Sequence, residues 1–318
     1  MAHPEAAPAA APRPSAADPV ARKLTAAAAW ICLLVIVAGA NVTTTQSGDA
    51  IPTWPWGWLG STAAGWIELS HRYVAGLLIV TTAVAAWRTG STALRRVAVA
   101  VFVLVVIQAA LGGVRVLVGA ADETHGALPW LKVTHATLGQ VIYPLAVAAA
   151  ALASDWWADT VQRPLDDAGL ATMRAAGLAL LAMILQIVLG ALGRHLVIPR
   201  EVHAIFALLP LVLSARIVLV LSDLPRDVEL FRGPSALIGF LTALQLALGI
   251  GTYIVTSETD DPLKRDLSQV ITLNAHVGVS AAMTGVAVAI ALRAVRLWGA
   301  PTDERVAEAR RNQQGGST

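Results

Sequence analysis

The sequence predicts an all-α integral membrane protein in which eight transmembrane helices form two pseudo-repeated four-helix bundles, with both termini in the cytoplasm. Three observations predict this fold class. Of the 318 residues, 56% are hydrophobic and 14% are charged, whereas about a quarter of the residues in a soluble domain are charged. Eight apolar segments are each long enough for a membrane-spanning helix, which needs about 20 residues. Polar residues also recur at similar positions in the two halves of the chain.

The first element follows a segment rich in alanine and proline, which predicts a disordered cytoplasmic tail over residues 1–23. Arg22 and Lys23 precede the first apolar run, Leu24–Ala40. The end of this run also resembles the small-residue cleavage site of a secretory signal peptide. Because the run is long for a signal core, we interpret it as the first transmembrane helix and keep the signal peptide as the alternative.

Seven further apolar segments predict the remaining helices. They lie near Trp66–Trp87, Leu94–Val118, Trp130–Ala153, Met173–Gly193, Val202–Leu221, Pro234–Thr256 and Gln269–Leu292. The polar stretch 154–172 is the predicted linker between an N-terminal four-helix half, 24–153, and a C-terminal four-helix half, 173–293. Residues 294–318 are predicted to form a second cytoplasmic tail.

The positions of charged residues indicate the orientation of these helices. With the amino terminus inside, 16 of the 23 lysines and arginines fall in cytoplasmic segments and six in outer segments, in agreement with the positive-inside rule. Membrane topology thus explains the basic residues, so the expected partner is the lipid bilayer and not a nucleic acid. The chain is expected to be a multi-pass protein of the cell membrane, in bacteria the plasma membrane.

An internal repeat relates the two halves. Gln108-Ala-Ala-Leu-Gly112 in the third predicted helix recurs as Gln245-Leu-Ala-Leu-Gly249 in the seventh, 137 residues later. Histidines in the second and fourth helices recur in the sixth and eighth at offsets of 132 and 141 residues. These similar offsets predict two related four-helix units.

Each even-numbered predicted helix contains one histidine near its outer end: His71, His135, His203 and His276. An ionisable side chain in hydrocarbon is costly and is usually functional. One such histidine could be a structural residue that forms a hydrogen bond between helices. Four of them at a similar depth favour ligands.

The available side chains favour a porphyrin over a compact metal centre. Imidazole suits zinc, copper and iron, but few carboxylates accompany the histidines. The single cysteine, Cys32, cannot form a Cys-pair zinc site or an iron–sulfur cluster. A haem needs only one or two axial ligands and an apolar slot. Two halves with two histidines each therefore predict two haem sites, both toward the outer face.

Glu68 breaks the symmetry between the halves. It lies three residues before His71, so both side chains share one helix face. Glu68 could relay protons or stabilise charge on a substrate; the alternative is an ion pair with Arg72 or a nearby basic residue. A Glu-x-x-His pair also occurs in di-iron bundles, but those sites need several inward carboxylates.

Several motifs resemble the haem A synthase family. The segments Gly39–Gly48 and Ile51–Pro55 resemble the end of that family's first helix and its first outer loop. The rest of the N-terminal half carries Glu68-x-x-His71-Arg72, Gln108-x-x-Leu-Gly-Gly-x-Arg115 and His135-Ala-Thr-Leu-Gly139, while His203 and His276 correspond to the family's C-terminal pair. The resemblance covers about residues 24–293.

This resemblance implies a function. Members of the family are eight-helix membrane oxidoreductases that oxidise the C8 methyl group of haem O to the formyl group of haem A by successive hydroxylation, for terminal oxidase biogenesis. By resemblance, His71 and His135 hold the substrate haem O, with Glu68 as the catalytic acid. His203 and His276 hold the iron of a haem b that passes electrons.

Further expectations concern the outer surface and the partners. Seven outer basic residues are candidate partners of haem propionates, with ordinary interfacial anchoring as the alternative. They are Arg72, Arg115 and Lys132 near the first pocket, and Arg194, Arg200, Lys264 and Arg265 near the second. The implied protein partners are a haem O synthase and an electron donor such as a ferredoxin or quinol, and homo-oligomerisation is left open. Many bacterial members have cysteine pairs in the outer loops, which are absent from the loops here.

Two alternative functions come from other classes. The chain could be an electron-transferring dihaem b-type cytochrome or quinol-linked subunit that performs no chemistry on the haem. It could also be a transporter, although parallel repeats and four histidines at one depth disfavour that reading. His125 and His195 lie in outer segments and are predicted to be solvated.

Overall fold

A computed structural model describes residues 17–55, 57, 62–90, 92–121, 128–195, 197–224, 229–258 and 265–299. Within these ranges the chain forms α-helices and one 3-10 helix, Glu229–Phe231, and no strand. The helices are α1 Pro19–Thr44, α2 Ala63–Arg88, α3 Thr92–Ala121, α4 Leu128–Ala153, α5 Asp155–Asp159, α6 Asp167–Arg194, α7 Arg200–Phe206, α8 Leu208–Ser222, α9 Arg232–Glu258 and α10 Leu267–Leu297. Most of the two predicted tails lies outside the described residues.

Eight candidate membrane spans confirm the all-helical, multi-pass prediction by length and composition. They coincide with α1, α2, α3, α4, α6, α9 and α10, and with α7 and α8 taken together. Large apolar side chains on these helices are exposed, including Trp87 at 78% and Leu181 at 65%. Such exposure is expected of surfaces that face lipid, where hydrocarbon is as apolar as the side chains.

Two helices begin earlier than the hydropathy of the sequence predicts, because an aspartate caps each of them. The Asp18 carboxylate accepts a hydrogen bond from the Val20 N–H at 3.2 Å, so α1 begins within the predicted tail. In the same way, the Asp166 carboxylate accepts from the Gly169 N–H at 2.7 Å. The predicted linker is therefore shorter than 154–172, since α6 occupies its last residues.

The sixth span is interrupted just after its histidine. α7 ends at Phe206, and Ala207 separates it from α8. Pro210 lies four residues after Phe206 and has no N–H to donate to the Phe206 carbonyl, which disrupts the helical hydrogen-bond ladder. The short helix that carries His203 is thus a separate segment from the longer part of the span.

Each half of the chain forms a closed ring of neighbouring helices. In the first half, α1 packs on α2, α2 on α3, α3 on α4, and α4 on α1. In the second, α6 packs on α8, α8 on α9, α9 on α10, and α10 on α6. The same order of contacts therefore occurs in both halves.

The two halves meet along α1 and α4 on one side and α6 and α10 on the other. Small residues allow this approach. A Cβ on Gly285 of α10 would lie 2.6 Å from Cε1 of Tyr143 on α4, and one on Gly278 would lie 3.0 Å from Cγ2 of Val37 on α1. We call this contact the seam. Close packing of small residues is the usual way to join helices in a bilayer.

The bundle has two distinct ends. The four histidines lie toward the end formed by the carboxyl ends of α1, α3, α6 and α9, which we call the histidine end. The opposite, linker end carries α5. There Arg296 donates from Nε to the Trp157 carbonyl at 2.6 Å, and the Arg293 guanidinium lies 5.2 Å from the ring centroid of Trp156. These contacts fasten the linker to α10.

Candidate haem-binding site

Each of the four predicted histidines packs against a glycine on the preceding long helix. The glycine–histidine pairs are Gly39 with His71, Gly112 with His135, Gly190 with His203, and Gly249 with His276. A Cβ on the glycine would lie 3.0 Å from Cε1 of the histidine in the first three pairs and 3.4 Å in the fourth. The missing side chains therefore leave the space that the imidazole rings occupy between the helices.

A glutamine one turn before the glycine orients three of the histidine-bearing segments. Gln108 and Gln186 each donate from Nε2 to the carbonyl of the facing histidine, at 2.7 Å. The third glutamine, Gln245, has its Nε2 3.4 Å from Nε2 of His276. The sequence repeat identified the motif on α3 and α9 but missed the copy on α6, Gln186-Ile-Val-Leu-Gly190, which the Gln-x-x-Leu-Gly spacing could have revealed.

The second histidine pair has the spacing of two ligands to one metal ion. The ring centroids of His203 and His276 are 6.2 Å apart, and the ring planes are nearly perpendicular at 83°. Two imidazoles that bind one metal ion from opposite sides through bonds of about 2 Å have centroids about 6 Å apart. In the first half, His135 lies within electrostatic reach of His71 and Arg115.

One nitrogen atom of each imidazole ring, Nδ1, has no hydrogen-bond partner. Nδ1 is buried without a hydrogen-bond partner in all four histidines, and such atoms are uncommon in folded proteins. No group of three His, Cys, Asp or Glu side chains within the described ranges could hold a metal ion. A macrocycle that brings its own equatorial nitrogens needs only the axial pair, so these residues fit a haem better than a bare metal ion.

Glu68 is buried and forms the ion pair that the sequence left as an alternative. Its Oε1 accepts from Nη2 of Arg72 at 2.6 Å, and its Oε2 accepts from the N–H of Ile51 at 2.9 Å. Only 3% of Glu68 is exposed. Both carboxylate oxygens are therefore engaged within the protein, and the acid connects α2 to the loop that follows α1.

The same loop is held by two of the arginines that were predicted to bind propionates. Arg72 donates to the carbonyls of Thr53 and Ile51 at 2.6 and 2.9 Å. Arg115 donates to the carbonyl of Gly48 and also forms an ion pair with Asp49 at 3.3 Å. The guanidinium groups of Arg72 and Arg115 thus fasten the first loop over the first histidine pair.

The side chain of Trp54, in the same loop, packs against α3. A Cβ on Gly113 would lie 2.5 Å from Cδ2 of Trp54, so the indole ring rests directly on the glycine backbone. Gly113 follows Gly112, which faces His135. Residues 46–55, held by Glu68, Arg72, Arg115 and Trp54, form what we call the first-loop cover. The sequence did not indicate the attachment points of this loop.

His195 differs from its prediction as a solvated residue, because it is partly buried. It follows α6 directly and donates its backbone N–H to the Ala191 carbonyl at 3.1 Å. Burial lowers the pKa of His195 to about 4, and the charges of Arg194, Lys132 and Arg115 act in the same direction. His195, a residue of the second half, therefore lies close to two cations of the first half, Lys132 and Arg115. The other solvated prediction, His125, falls outside the described residues.

An open groove elsewhere on the molecule is separate from the histidines. It has a volume of about 710 Å³ and lies on α3 toward the linker end, lined by Arg95, Arg96 and Val103 among others. Gln108 and Gly112 lie farther along the same helix, toward the histidine end. The histidine pairs, not this groove, are the candidate functional site.

Comparison with known proteins adds two findings. Residues 59–198 match the sequence model of a family described as cytochrome oxidase assembly protein, a range that includes Glu68, His71 and His135. The chain is also 36% identical over 143 residues to a protoheme IX farnesyltransferase of Halobacterium salinarum; the match covers 41% of this chain and 28% of that protein. The resemblance predicted from the motifs is confirmed over the range of the family match.

Proposed function

We propose, because residues 59–198 match the cytochrome oxidase assembly protein family, that this chain is a haem A synthase. The reaction is the oxidation of the C8 methyl group of haem O to the formyl group of haem A. This is a four-electron oxidation of the methyl carbon. Two successive hydroxylations, each of which requires an external oxidant of the dioxygen class, give a geminal diol, and loss of water from the diol gives the aldehyde. The chain would thereby act as an oxidoreductase in terminal oxidase biogenesis.

The repeated glycine–histidine contact supports this proposal most directly. It occurs twice in each half of the chain, between α1 and α2 and between α3 and α4 in the first half, and between α6 and α7 and between α9 and α10 in the second. Two four-helix units, each with one pair of histidines, would provide two porphyrin sites of similar design. The ring pattern of helix contacts also supports two pseudo-repeated bundles.

The two sites are proposed to have different roles because their surroundings differ. In the second half, His203 and His276 with their facing glutamines would ligate a haem b, which supplies electron transfer when it is bound. In the first half, His71 and His135 would hold the substrate haem O. Among the described residues, the buried carboxylate of Glu68 and a covering loop lie beside the first site, so this site has groups that could orient and enclose a substrate.

Glu68 is proposed as the acid of the first site, acting together with Arg72. The Arg72 guanidinium and the Ile51 N–H both stabilise the carboxylate form of Glu68. A carboxylate held next to the substrate can stabilise positive charge that develops during oxidation or accept a proton from it. The same contacts hold the first-loop cover in place, so Glu68 would combine a chemical role with a positioning role.

The surrounding cell biology is part of the same proposal. We propose that the chain lies in a bacterial plasma membrane with the histidine end outward and both termini in the cytoplasm. Haem O would come from a haem O synthase, and electrons from a donor such as a ferredoxin or quinol. The similarity to a protein named for farnesyl transfer to protoheme IX loosely supports a substrate of the haem class.

The test compares two acid-to-amide changes in a strain that has no other source of haem A. Glu68→Gln keeps one acceptor oxygen, which can accept from Ile51 or from Arg72, while its NH2 group faces the other donor. The charge is lost and the loop attachment is weakened, and limited proteolysis within residues 46–55 measures that weakening. We expect haem A to fall at least about a hundredfold, the usual effect of losing an acid–base group, and haem O to accumulate. The matched control is Glu201→Gln, because Glu201 lies two residues before His203 and is exposed.

Extracted haems and optical spectra provide the measurements. Wild-type haem A levels in Glu68→Gln would contradict the role of the acid. A wild-type chain that shows a low-spin haem b spectrum but produces no haem A would instead indicate the electron-transferring b-type cytochrome. His203→Ala and His276→Ala are expected to remove the haem b spectrum, and unchanged spectra in both would contradict the two-site assignment.

A further inference from the structure

A polar cluster lies on the seam at the histidine end. Thr44 of α1 donates from Oγ1 to Oδ1 of Asn274 on α10 at 2.9 Å, and Nδ2 of Asn274 donates to Oδ1 of Asn41 at 3.0 Å. Arg194, the last residue of α6, donates to Oγ1 of Thr44 at 2.6 Å. Arg265, just before α10, donates to the Thr44 carbonyl at 3.2 Å. Thr44 itself is fully buried.

Within the described residues, the hydrogen bonds of these two arginines go to neutral groups. Arg194 contacts the Thr44 hydroxyl and the Ala40 carbonyl, and Arg265 contacts the Thr44 carbonyl, while its Nε is buried with no partner. Neither has a carboxylate partner within the described ranges, whereas five other arginines there do: Arg22, Arg72, Arg88, Arg115 and Arg200. The guanidinium groups of Arg194 and Arg265 also lie close enough for their positive charges to repel each other.

Two like charges in a partly buried cluster are unfavourable unless an anion joins them. Desolvation lowers the pKa of the Arg265 guanidinium. The neutral contacts of Thr44 hold both guanidinium groups in place without balancing their charge. Among the described residues, the cluster thus has the donors and the positive charge for an anion but contains no anion.

The position of the cluster connects it to the second histidine pair. Arg194 lies within electrostatic reach of His276, and Asn274 precedes His276 by two residues on α10. The polar cluster therefore lies close to the residues that would hold a ligand in the second half. Of the residues predicted to bind propionates in the first half, Arg72, Arg115 and Lys132, the two arginines also contact the first-loop cover.

We propose that Arg194 and Arg265 form a carboxylate clamp for a propionate of the porphyrin in the second site. This inference rests on the proposed function, since it requires a porphyrin there. Guanidinium groups suit carboxylates through paired, charge-assisted hydrogen bonds. Because Thr44 belongs to the first half, the clamp would also couple occupancy of the second site to the contact between the halves.

The test uses two porphyrins that differ only in the carboxylates. The full chain, purified from a haem-deficient host, is titrated with protohaem and with protohaem dimethyl ester while the bis-histidine spectrum is recorded. Wild type is expected to bind protohaem about tenfold or more tightly than the ester, the change expected from one or two charge-assisted hydrogen bonds. In Arg194→Gln with Arg265→Gln, the ratio of the two affinities is expected to fall to about one.

Controls separate the clamp from general charge and from folding. Arg216→Gln removes a charge from an exposed position on α8 and is expected to keep the wild-type ratio. Arg194→Lys with Arg265→Lys retains both charges and is expected to keep an intermediate ratio, which covers the case in which the glutamine variants fail to fold. Melting curves recorded on the same samples identify unfolded protein.

The outcomes distinguish this inference from the proposed function. The carboxylate clamp is contradicted if wild type binds both porphyrins equally, or if the double variant Arg194→Gln with Arg265→Gln keeps the wild-type affinity ratio. Neither result contradicts the proposed haem site. A ratio of one in wild type, together with stabilisation by phosphatidylglycerol vesicles that the glutamine pair loses, would assign the arginines to a lipid phosphate and overturn the clamp. If wild type binds neither porphyrin, both proposals fail.

Discussion

A glycine opposite a histidine determines the geometry at the scale of single residues. The imidazole of His203 fits between helices because Gly190 has no side chain, and any Cβ there would be 3.0 Å from Cε1. The equivalent distance at Gly249 is 3.4 Å, an ordinary van der Waals contact. His203 and His276, the two members of one proposed ligand pair, therefore differ in the space between the imidazole ring and the facing glycine.

This difference predicts unequal effects of the same substitution. Gly190→Ala is expected to displace the His203 ring and to lower the haem b content of purified protein, at a cost of about 1–3 kcal/mol for overpacking. Gly249→Ala is expected to retain haem b, because its methyl group fits. Haem-to-protein ratios from optical spectra provide the measurement. Equal haem content in the two variants would contradict the account of space at Gly190.

At the scale of elements, the first-loop cover shows how a loop can be held without a disulfide. Its backbone carbonyls and one N–H bond to buried charged groups on α2 and α3, and Trp54 rests on Gly113. Hydrogen bonds to charged groups are stronger than those between neutral groups. The contacts of Glu68, Arg72 and Arg115 thus attach this loop in a chain that has a single cysteine, Cys32.

Removing the seat of Trp54 is expected to loosen the cover. Gly113→Val would force the indole ring away from α3, and limited proteolysis of the purified protein should then cut within residues 46–55 faster than in wild type. Trp54→Ala is expected to give the same result from the other side of the contact. Gly76→Ala is the control, because a Cβ at Gly76 meets nothing within 4 Å. Unchanged cleavage in both test variants would show that the arginines alone hold the loop.

At the scale of the whole molecule, two similar rings are joined by a tight seam. α4 and α10 approach closely where Gly285 meets Tyr143, and the linker end fastens α5 to α10. The proposed arginine clamp would add a ligand to the same seam at the histidine end. Stability and occupancy of the second site are therefore expected to be coupled.

The seam is expected to be sensitive to a single methyl group. Gly285→Ala should lower the melting temperature in detergent, since overpacking costs about 1–3 kcal/mol and exceeds the gain of about 1 kcal/mol from replacing glycine in a helix. Tyr143→Leu in the same chain should restore part of the loss by removing the ring. Gly177→Ala, where a Cβ meets nothing within 4 Å, should melt at or slightly above the wild-type temperature. A Gly285→Ala variant as stable as wild type would contradict close packing at the seam.

The sequence by itself determined the helices, their approximate ends and the positions of the four histidines along them. A helix in a bilayer satisfies its backbone hydrogen bonds within its own segment, so local hydropathy and caps such as Asp18 and Asp166 are sufficient. Only the tertiary structure decided which glycine faces which histidine, that Glu68 pairs with Arg72 and the first loop, and that Arg194 and Arg265 both contact Thr44 at the seam. The physical reason is that such partners come from different helices, whose rotation and depth are set by non-local packing.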